Sequence, residues 1–372
     1  MDFELSSKHI ELQRSVRSLV EQTVLPQIME FEEKSLFPWE LFRKIGSEGF
    51  LRTHVPEANG GLGLGTMGYC LVSEELAKAG AGMTHNGHFQ TQKMLLGYGT
   101  QTQRDKYLDK LGTGEYLAAT AISEPTVGSS FEDMRTWVEK RDDVFVLNGL
   151  KTLINDAAEA SVISMFARSE EGISVFLVEA GTPGFRITGK LDPMGMRSSP
   201  IYAFELKDCK VEPQQLVGRF GEGLKAFFSA FNFSRLGNAS AALGIGQAAF
   251  EKALAYVKQR QVGRHTTAEF QGIRWILAEM STELEAARLV RNRAAVMEDD
   301  KQDISLESSR AKLITVDVAN RVVPDCIQIT GRYGCLRDSL LELYLRDAKV
   351  LGTAGGSLEV MKNNIARRLI GS

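Results

Sequence analysis

The hydrophobic pattern of the chain changes its period twice, and these changes restrict the folds that it can adopt. Apolar residues recur at helical spacing over residues 1–115. Short β-branched runs separated by Asn-Gly, Pro-Gly and acidic turns follow over residues 116–222, and they predict antiparallel strands. Helical spacing returns over residues 223–372 and predicts a four-helix bundle. The sequence therefore predicts an α+β protein with an N-terminal helical domain, a central β domain and a C-terminal helical domain.

Three local features refine the helical parts. Ser6 precedes the first apolar periodic segment and is a predicted N-cap. Residues 226–260 are rich in Ala, Gly and Ser, which lets neighbouring helices approach closely. Residues 56–65 (PEANGGLGLG) follow no predicted strand and open no βαβ unit. We therefore interpret this glycine-dense segment as a tight connection between helices, not as a phosphate-binding loop.

Composition narrows the classes of partner. The chain of 372 residues has 44 basic and 47 acidic side chains, a net charge of −3, which gives no electrostatic attraction for nucleic acid or an anionic membrane. Its four cysteines form no CxxC pair and its five histidines show no metal-binding spacing, so we expect reduced thiols and no metal site. The chain start lacks a signal sequence, and no apolar run is long enough to cross a membrane. We expect a soluble, cytoplasmic protein that binds small molecules or other proteins.

The segment of the β region that most strongly suggests ligand binding is residues 120–130 (TAISEPTVGSS). Its hydroxyls and its glycine turn can cradle a phosphate or a ring heteroatom, although a generic surface turn would also explain them. The order of the parts that follow is more specific. NGLKTLIN stands at 148–155, Arg235 opens an Ala-rich helix, and RDAK at 346–349 precedes a small-residue turn, AGGS, at 354–357.

In this combination the chain resembles the acyl-CoA dehydrogenase family over essentially its whole length. The resemblance implies a β-barrel-like central domain between two helical domains, FAD as the cofactor and an acyl-CoA or acyl-carrier-protein substrate. It also implies a homodimer or a homotetramer whose subunits complete each other's FAD sites. Electrons would pass to an electron-transfer flavoprotein or to oxygen.

The resemblance assigns roles to individual residues. Leu153 stands where the family commonly has Trp, and Asn155 where it has Thr or Ser against the flavin, so Asn155 can still hydrogen-bond there. Arg260, or alternatively Arg264, supplies a charge that reaches a neighbouring subunit's FAD. The implied FAD-binding residues are Ile122, Ser123, Gly128, Ser129, Leu153, Asn155, Arg260, Gln271, Gln328, Gly331, Ser357 and Glu359. The implied substrate-binding residues are Ser129, Asn232, Arg235 and Gly355.

The catalytic base of the family is missing from its usual positions. Dehydrogenation needs a group that removes the α-proton of the thioester while hydride leaves the β-carbon. Most members carry a Glu in a Tyr-Glu-Gly-Thr turn, and Gly355 occupies that position here. A minority place the base on the substrate-lining helix, where this chain has Ser234.

Three interpretations follow from this double absence. The first is an FAD-dependent oxidoreductase acting on an acyl thioester with a non-standard base, for which His85 and His88 are candidates and Glu359 a weaker one. The second is different flavin chemistry, such as oxidation of a carrier-protein-bound acyl group or an oxygen-dependent monooxygenase or oxidase reaction in secondary metabolism. The third is an inactive partner subunit, against which the retained flavin segments argue. We favour the first.

Overall fold

Helices build the N-terminal domain. The computed structural model describes residues 4–131 and 133–371. Ser6 caps the first helix by accepting a hydrogen bond from the backbone N–H of His9 at 3.3 Å, which confirms the predicted N-cap. The helices are α1 (Ser7–Leu19), α2 (Ile28–Lys34), α3 (Trp39–Ser47), α4 (Gly65–Ala77), α5 (Asn86–Tyr98) and α6 (Gln101–Gly112). A π-helical turn, Val20–Val24, continues α1.

The glycine-dense loop before α4 connects helices, as predicted. The carboxylate of Asp299, from the C-terminal domain, accepts hydrogen bonds from the backbone N–H groups of Thr66 at 2.6 Å and Met67 at 3.1 Å. Gly65 has φ +63°, and a Cβ there would lie 2.5 Å from an oxygen of Asp299. The N–H groups that a phosphate would need are thus already bound to a carboxylate of the protein.

A seven-stranded sheet forms the central domain. Its strands are β1 (Ala118–Ala121), β2 (Trp137–Arg141), β3 (Val144–Asn155), β4 (Val162–Ser169), β5 (Gly172–Glu179), β6 (Phe185–Leu191) and β7 (Ile201–Val211). The order is β1-β4-β2-β3-β7-β6, with β5 on β4. Most pairs are antiparallel, as predicted, but β1 and β2 run parallel to β4. The expectation of a purely antiparallel sheet was wrong in this respect, because β1 reaches β4 through the long connection that contains β2 and β3.

The C-terminal domain is a helical bundle centred on one long helix. It contains α7 (Gly223–Gln259), the hairpin β8 (Gln261–Val262) and β9 (His265–Thr266), α8 (Gln271–Asp299), α9 (Ser305–Thr330), α10 (Leu341–Leu351) and α11 (Leu358–Ile370). Small residues let α7 approach α4 closely, as predicted. A Cβ on Gly244 would lie 2.1 Å from the carbonyl oxygen of Glu74, and one on Gly237 would lie 1.8 Å from the Tyr69 hydroxyl.

Asp347 on α10 ties the three domains together. Its buried carboxylate accepts hydrogen bonds from the backbone N–H groups of Ala81 at 2.8 Å, in the N-terminal domain, and Met196 at 2.6 Å, in the central domain. Burial and the nearby charge of Glu32 raise the pKa of Asp347 to about 7. Within the described residues, no helix is long and apolar enough to cross a membrane.

Candidate active site

Two of the predicted flavin segments are joined by a buried ion pair. Lys151 on β3 lies 2.8 Å from the carboxylate of Glu124, and its Nζ also donates to the carbonyl of Ile122 at 3.2 Å. The backbone N–H of Thr152 donates to the carbonyl of Ser123 at 3.1 Å. Burial lowers the pKa of Lys151 to about 8, which the carboxylate of Glu124 partly offsets. The loop after β1 is thereby held against β3.

The ion pair of Glu124 and Lys151 was not predicted from the sequence. Glu124 also accepts hydrogen bonds from the backbone N–H groups of Arg135 at 2.7 Å and Thr136 at 3.0 Å, which closes the loop around the flavin segment. The only signal in the sequence was one charged residue inside each of the two motifs. Nothing local indicated that the two charges would meet in a buried place.

Leu153 and Asn155 lie where β3 departs from regular pairing. The register between β3 and β7 shifts from Lys151 to Ile154, and Leu153 takes φ +58° with 61% of its surface exposed. An exposed leucine on left-handed backbone is unusual, and such backbone persists where the surrounding structure enforces it. The side-chain amide of Asn155 donates to Ser199 Oγ at 3.0 Å. This uncovered apolar surface fits a flat aromatic group such as a flavin ring, and the assignment of the two residues stays a prediction.

Aromatic contacts connect the flavin loop to the start of α7. The ring of Phe131 lies 5.1 Å from that of Phe227, which stacks on Phe231 at 4.5 Å. The guanidinium of Arg235 lies 4.5 Å from the ring of Phe231. A Cβ on Gly356 would lie 3.9 Å from the same ring. The loop after β1, the first turns of α7 and the AGGS turn therefore adjoin one another.

The AGGS turn depends on glycine at position 355. Gly355 has φ +66° and Gly356 has φ +91°, a region that side chains disfavour. A Cβ on Gly355 would lie 2.3 Å from the amide nitrogen of Asn238 and 3.7 Å from Lys312 Nζ. The amide of Asn238 thus fills the space into which a side chain at position 355 would project.

Asn238 is held in this orientation by a chain of hydrogen bonds. Its side-chain oxygen accepts from the amide of Asn86 at 2.9 Å, and Asn86 in turn accepts from the Tyr69 hydroxyl at 2.8 Å. The amide nitrogen of Asn238 lies 3.4 Å from the carbonyl of Ser234. The amide therefore presents its N–H groups, not its oxygen, towards the turn.

Two buried basic groups lie behind the turn. Lys312 on α9 donates from Nζ to the carbonyls of Ala354 and Gly356, and burial together with the charge of Arg235 lowers its pKa to about 7. Arg235 donates to the side-chain oxygen of Asn232 at 2.7 Å, and its Nε has no hydrogen-bond partner among the described residues. Burial lowers the pKa of Arg235 to about 10.

Lys312 and Asn238 were not predicted from the sequence, whereas Ser129, Asn232, Arg235 and Gly355 were predicted to bind the substrate. Arg235 donates to Asn232, and Gly355 lies beside Lys312 and Asn238, whereas Ser129 is exposed on the loop after β1. Their assignment to the substrate stays a prediction. A lysine amid the apolar spacing of α9 was the one available signal for Lys312, since such a position normally holds a core residue.

The other predicted positions near the turn carry no group that faces it as a base. The hydroxyl of Ser234 donates to the carbonyl of Phe231 at 3.1 Å. Ser357 caps α11, with Oγ accepting from the N–H of Val360 at 3.3 Å. Glu359 is exposed in the first turn of α11, and its pKa is lowered by hydrogen bonds from its own backbone and from Ser357.

The candidate histidines are buried beside the N-terminal aromatic core. The ring of His85 lies 4.9 Å from that of Phe42, and among the described residues neither of its nitrogens has a hydrogen-bond partner. His88 accepts from the backbone N–H of Ala118 at 3.2 Å and lies 2.7 Å from the side-chain amide of Gln92. Burial lowers the pKa of each imidazole to about 3, so each is a weak base at neutral pH. Their catalytic assignment stays a prediction.

The remaining predicted FAD residues form a separate group at the far end of the bundle. Arg260 follows the last turn of α7, Gln271 begins α8, and Gln328 and Gly331 end α9, all of them exposed. At a rise of 1.5 Å per residue, Arg260 lies about 38 Å along the axis of α7 from Arg235. One chain therefore does not bring these residues to the turn, which is the arrangement expected if they reach a neighbouring subunit. Gly128 and Ser129 are exposed on the loop after β1.

Family models match nearly the whole chain. The N-terminal domain of acyl-CoA dehydrogenase matches residues 6–115, the middle domain matches 119–209 and the C-terminal domain matches 221–370. The 3-sulfinopropanoyl-CoA desulfinase of Advenella mimigardefordensis is 32% identical over 383 residues, covering 99% of this chain and 95% of that protein.

Solved structures agree with the family models. The butyryl-CoA dehydrogenase of Megasphaera elsdenii superposes with a TM-score of 0.96 at 31% identity, covering 100% of both chains. A glutaryl-CoA dehydrogenase of Mycobacterium smegmatis in complex with FADH2 superposes with a TM-score of 0.94 at 25% identity, covering 99% of this chain and 96% of that one. The chain belongs to the acyl-CoA dehydrogenase family, which confirms the predicted fold, the predicted class of flavoprotein oxidoreductase and FAD as the cofactor.

Proposed function

We propose that the protein is an FAD-dependent oxidoreductase that acts on an acyl-CoA. It does so without using a carboxylate at position 355 as the base. The observation that carries the proposal is the set of side chains around Gly355, where the amide of Asn238 occupies the space of a side chain at position 355 and two basic groups, Lys312 and Arg235, lie behind the turn. FAD, when bound, accepts hydride from the β-carbon of an acyl thioester. The acceptor of the α-proton is then a group other than the side chain of residue 355 or 234.

The chain's own residues support the binding of both ligands. The loop after β1 is fixed to β3 by Lys151 and Glu124, which gives the flavin segment a rigid base. The exposed face of Leu153 offers the flavin ring an apolar contact. The resemblance to the family assigns Arg235 and Gly355 to the binding of the acyl portion of the substrate.

One alternative is favoured by a specific observation. The desulfinase relative acts on an acyl-CoA that carries a sulfinate, and loss of sulfinate does not require removal of an α-proton. In that reaction the C–S bond breaks, water supplies a proton to carbon and hydroxide to sulfur, and bisulfite leaves with no net reduction of the flavin. A pocket without a carboxylate base suits such a reaction as well as it suits dehydrogenation with a base from elsewhere.

Anaerobic incubation of the FAD-loaded protein with acyl-CoAs separates these functions. Bleaching of the flavin by a saturated acyl-CoA, with an enoyl product two mass units lighter, supports dehydrogenation. Sulfite release from 3-sulfinopropanoyl-CoA without lasting bleaching supports the alternative. A protein that takes up no FAD, or that converts no acyl thioester, contradicts both. Acyl-carrier-protein thioesters, an electron-transfer flavoprotein and oxygen are further arms that identify the carrier and the electron acceptor.

We also infer that the protein assembles with itself. Large apolar side chains are exposed on the C-terminal domain, and Trp275 on α8 has 61% of its surface exposed. The others on this domain include Val262, Phe270, Leu289, Val296, Tyr333, Leu369 and Ile370. Light scattering that gives the mass of a dimer or a tetramer supports the inference, and a monomer at micromolar concentration contradicts it.

A further inference from the structure

The buried basic residues of the protein differ in how their charge is balanced. The described residues include five buried lysine and arginine side chains, which are Lys78, Lys151, Arg235, Arg291 and Lys312. Three of them lie within 3.2 Å of a carboxylate oxygen, in the pairs Lys78–Glu75, Lys151–Glu124 and Arg291–Glu74. The remaining two, Arg235 and Lys312, form no ion pair with a described residue.

These two residues lie near each other. The side-chain oxygen of Asn232, to which Arg235 donates at 2.7 Å, also lies 3.5 Å from the hydroxyl of Ser308, one turn before Lys312 on α9. The charge of Arg235 also lowers the pKa of Lys312. Burial lowers the pKa of Arg235, and no carboxylate among the described residues forms an ion pair with it that would offset this effect. Buried charges are normally paired, because an unpaired charge in the interior is strongly destabilising. Neither basic side chain is therefore balanced by a carboxylate of the described residues.

Three side chains near the AGGS turn carry hydrogen-bond donors. The guanidinium of Arg235 has a buried Nε without a partner, and the amide of Asn238 presents N–H groups because its oxygen is bound to Asn86. Lys312 Nζ would lie 3.7 Å from a Cβ at position 355. A carboxylate or another oxyanion bound there would pair with these groups through charge-assisted hydrogen bonds.

We propose that Arg235, Lys312 and Asn238 form a subsite for an oxyanion carried by the acyl chain of the substrate. This inference rests on the proposed function, since it names the class of acyl thioester that the same site takes. The substrate is a short acyl-CoA with a carboxylate or a sulfinate about two carbons beyond the thioester carbonyl. Its oxyanion takes the place of a protein carboxylate beside these three side chains.

Three acyl-CoAs that differ only at one end test the proposal. Butanoyl-CoA, succinyl-CoA and 3-sulfinopropanoyl-CoA share the same two methylene groups and end in methyl, carboxylate and sulfinate. Their affinities for the FAD-loaded protein are measured anaerobically, from the perturbation of the flavin spectrum and by calorimetry. We expect at least one anionic acyl-CoA to bind at least about tenfold more tightly than butanoyl-CoA. The tighter of the two anionic ligands identifies the oxyanion.

Matched variants assign the preference to the subsite. Arg235→Gln and Lys312→Met are each expected to remove most of the preference for the anionic ligand, measured as the ratio of its affinity to that of butanoyl-CoA in the same variant. Arg310→Gln removes a partly exposed charge from α9 near Lys312, and it should leave the preference intact. Lys312→Met also loses two hydrogen bonds to the AGGS turn. If that variant does not retain FAD, the effect of Arg235→Gln on the preference decides whether the subsite is correct.

Different outcomes overturn the inference and the proposed function. If butanoyl-CoA binds as tightly as both anionic ligands, or if the preference survives in Arg235→Gln, the subsite is wrong while the proposed function stands. If none of the three acyl-CoAs binds to the FAD-loaded protein or perturbs its spectrum, the proposed function itself fails for short acyl chains.

Discussion

Restoring a carboxylate at position 355 tests the geometry of the turn. In Gly355→Glu the new side chain takes a left-handed backbone, which costs roughly 1–2 kcal/mol for a residue other than glycine. Its Cβ would also lie 2.3 Å from the amide nitrogen of Asn238, so that amide must move and lose its bond to Asn86. Leaving buried amides unpaired costs roughly 1–3 kcal/mol more. We therefore expect the single variant to be destabilised by roughly 2–5 kcal/mol, less what the new carboxylate gains from Lys312.

Removing the amide of Asn238 should have opposite effects in the two backgrounds. In the natural chain, Asn238→Ala leaves Asn86 without its partner and should lower the free energy of unfolding by roughly 1–3 kcal/mol. In Gly355→Glu, Asn238→Ala makes room for the new carboxylate and should raise the free energy of unfolding. Urea unfolding of the four FAD-loaded proteins measures the coupling. An Asn238→Ala effect of the same sign and size in both backgrounds would refute the steric reasoning.

Activity gives a second measure of the same change. We expect the Gly355→Glu, Asn238→Ala double variant to bleach its flavin with butanoyl-CoA at least about 100-fold faster than the natural chain, the lower range for a positioned general base. The control replaces Gly355 by Gln in the same background, which keeps the size and the backbone strain but removes the base. Equal bleaching rates in the Glu and Gln proteins would show that the pocket is unconventional in other ways.

Three further predictions follow from the buried ionisable groups. Burial and the charge of Arg235 lower the pKa of Lys312 to about 7, so Lys312 loses its charge as the pH rises above about 7 while Arg235 stays charged. Over this range the affinity for succinyl-CoA should fall and the affinity for butanoyl-CoA should not. Calorimetry at several pH values measures both affinities, and Lys312→Met should abolish the pH dependence of succinyl-CoA binding. His88→Ala should lower the free energy of unfolding by roughly 1–3 kcal/mol, because the backbone N–H of Ala118 loses its hydrogen-bond partner. Flavin bleaching by substrate should survive in both His88→Ala and His85→Ala. If one of these variants retains FAD but no longer bleaches, the histidine that it lacks is the base. The pKa of Asp347 is raised above its value in the unfolded chain, so its contribution to stability is fully present below about pH 4 and is lost as the pH rises through about 7. Thermal unfolding at several pH values should therefore show a flatter stability profile between these limits in Asp347→Asn. An unchanged profile would contradict the raised pKa of Asp347.

The predicted features that the structure confirms depend on local patterns. Ser6 caps α1, the glycine-dense loop at 56–65 joins helices, and the small residues of α7 allow close packing with α4. Periodicity and capping are set by residues a few positions apart, so a single sequence reveals them. The parallel pairing of β1 with β4 was not predicted, because register between strands far apart in the chain leaves no local pattern.

The candidate site was predictable only in part for the same reason. Asn232, Arg235 and Gly355 could be placed in one site because each lies within a family motif. Asn238 and Lys312 could not, since their importance lies in the approach of α7, α9 and the AGGS turn, which are distant in the chain. The buried pair of Glu124 and Lys151 was missed on the same ground.

The sequence by itself determined the three-part layout, the flavin segments and the absence of a carboxylate at position 355, since each is written in a continuous stretch of residues. Only the tertiary structure decided what that absence leaves behind. Burial removes water from Arg235 and Lys312, and the fold places no acidic side chain among the described residues beside them, whereas it supplies one to each of the other buried basic residues. Charge balance in a low-dielectric interior is a property of side chains that meet in space, so the unpaired charges at the turn became visible only in the folded chain.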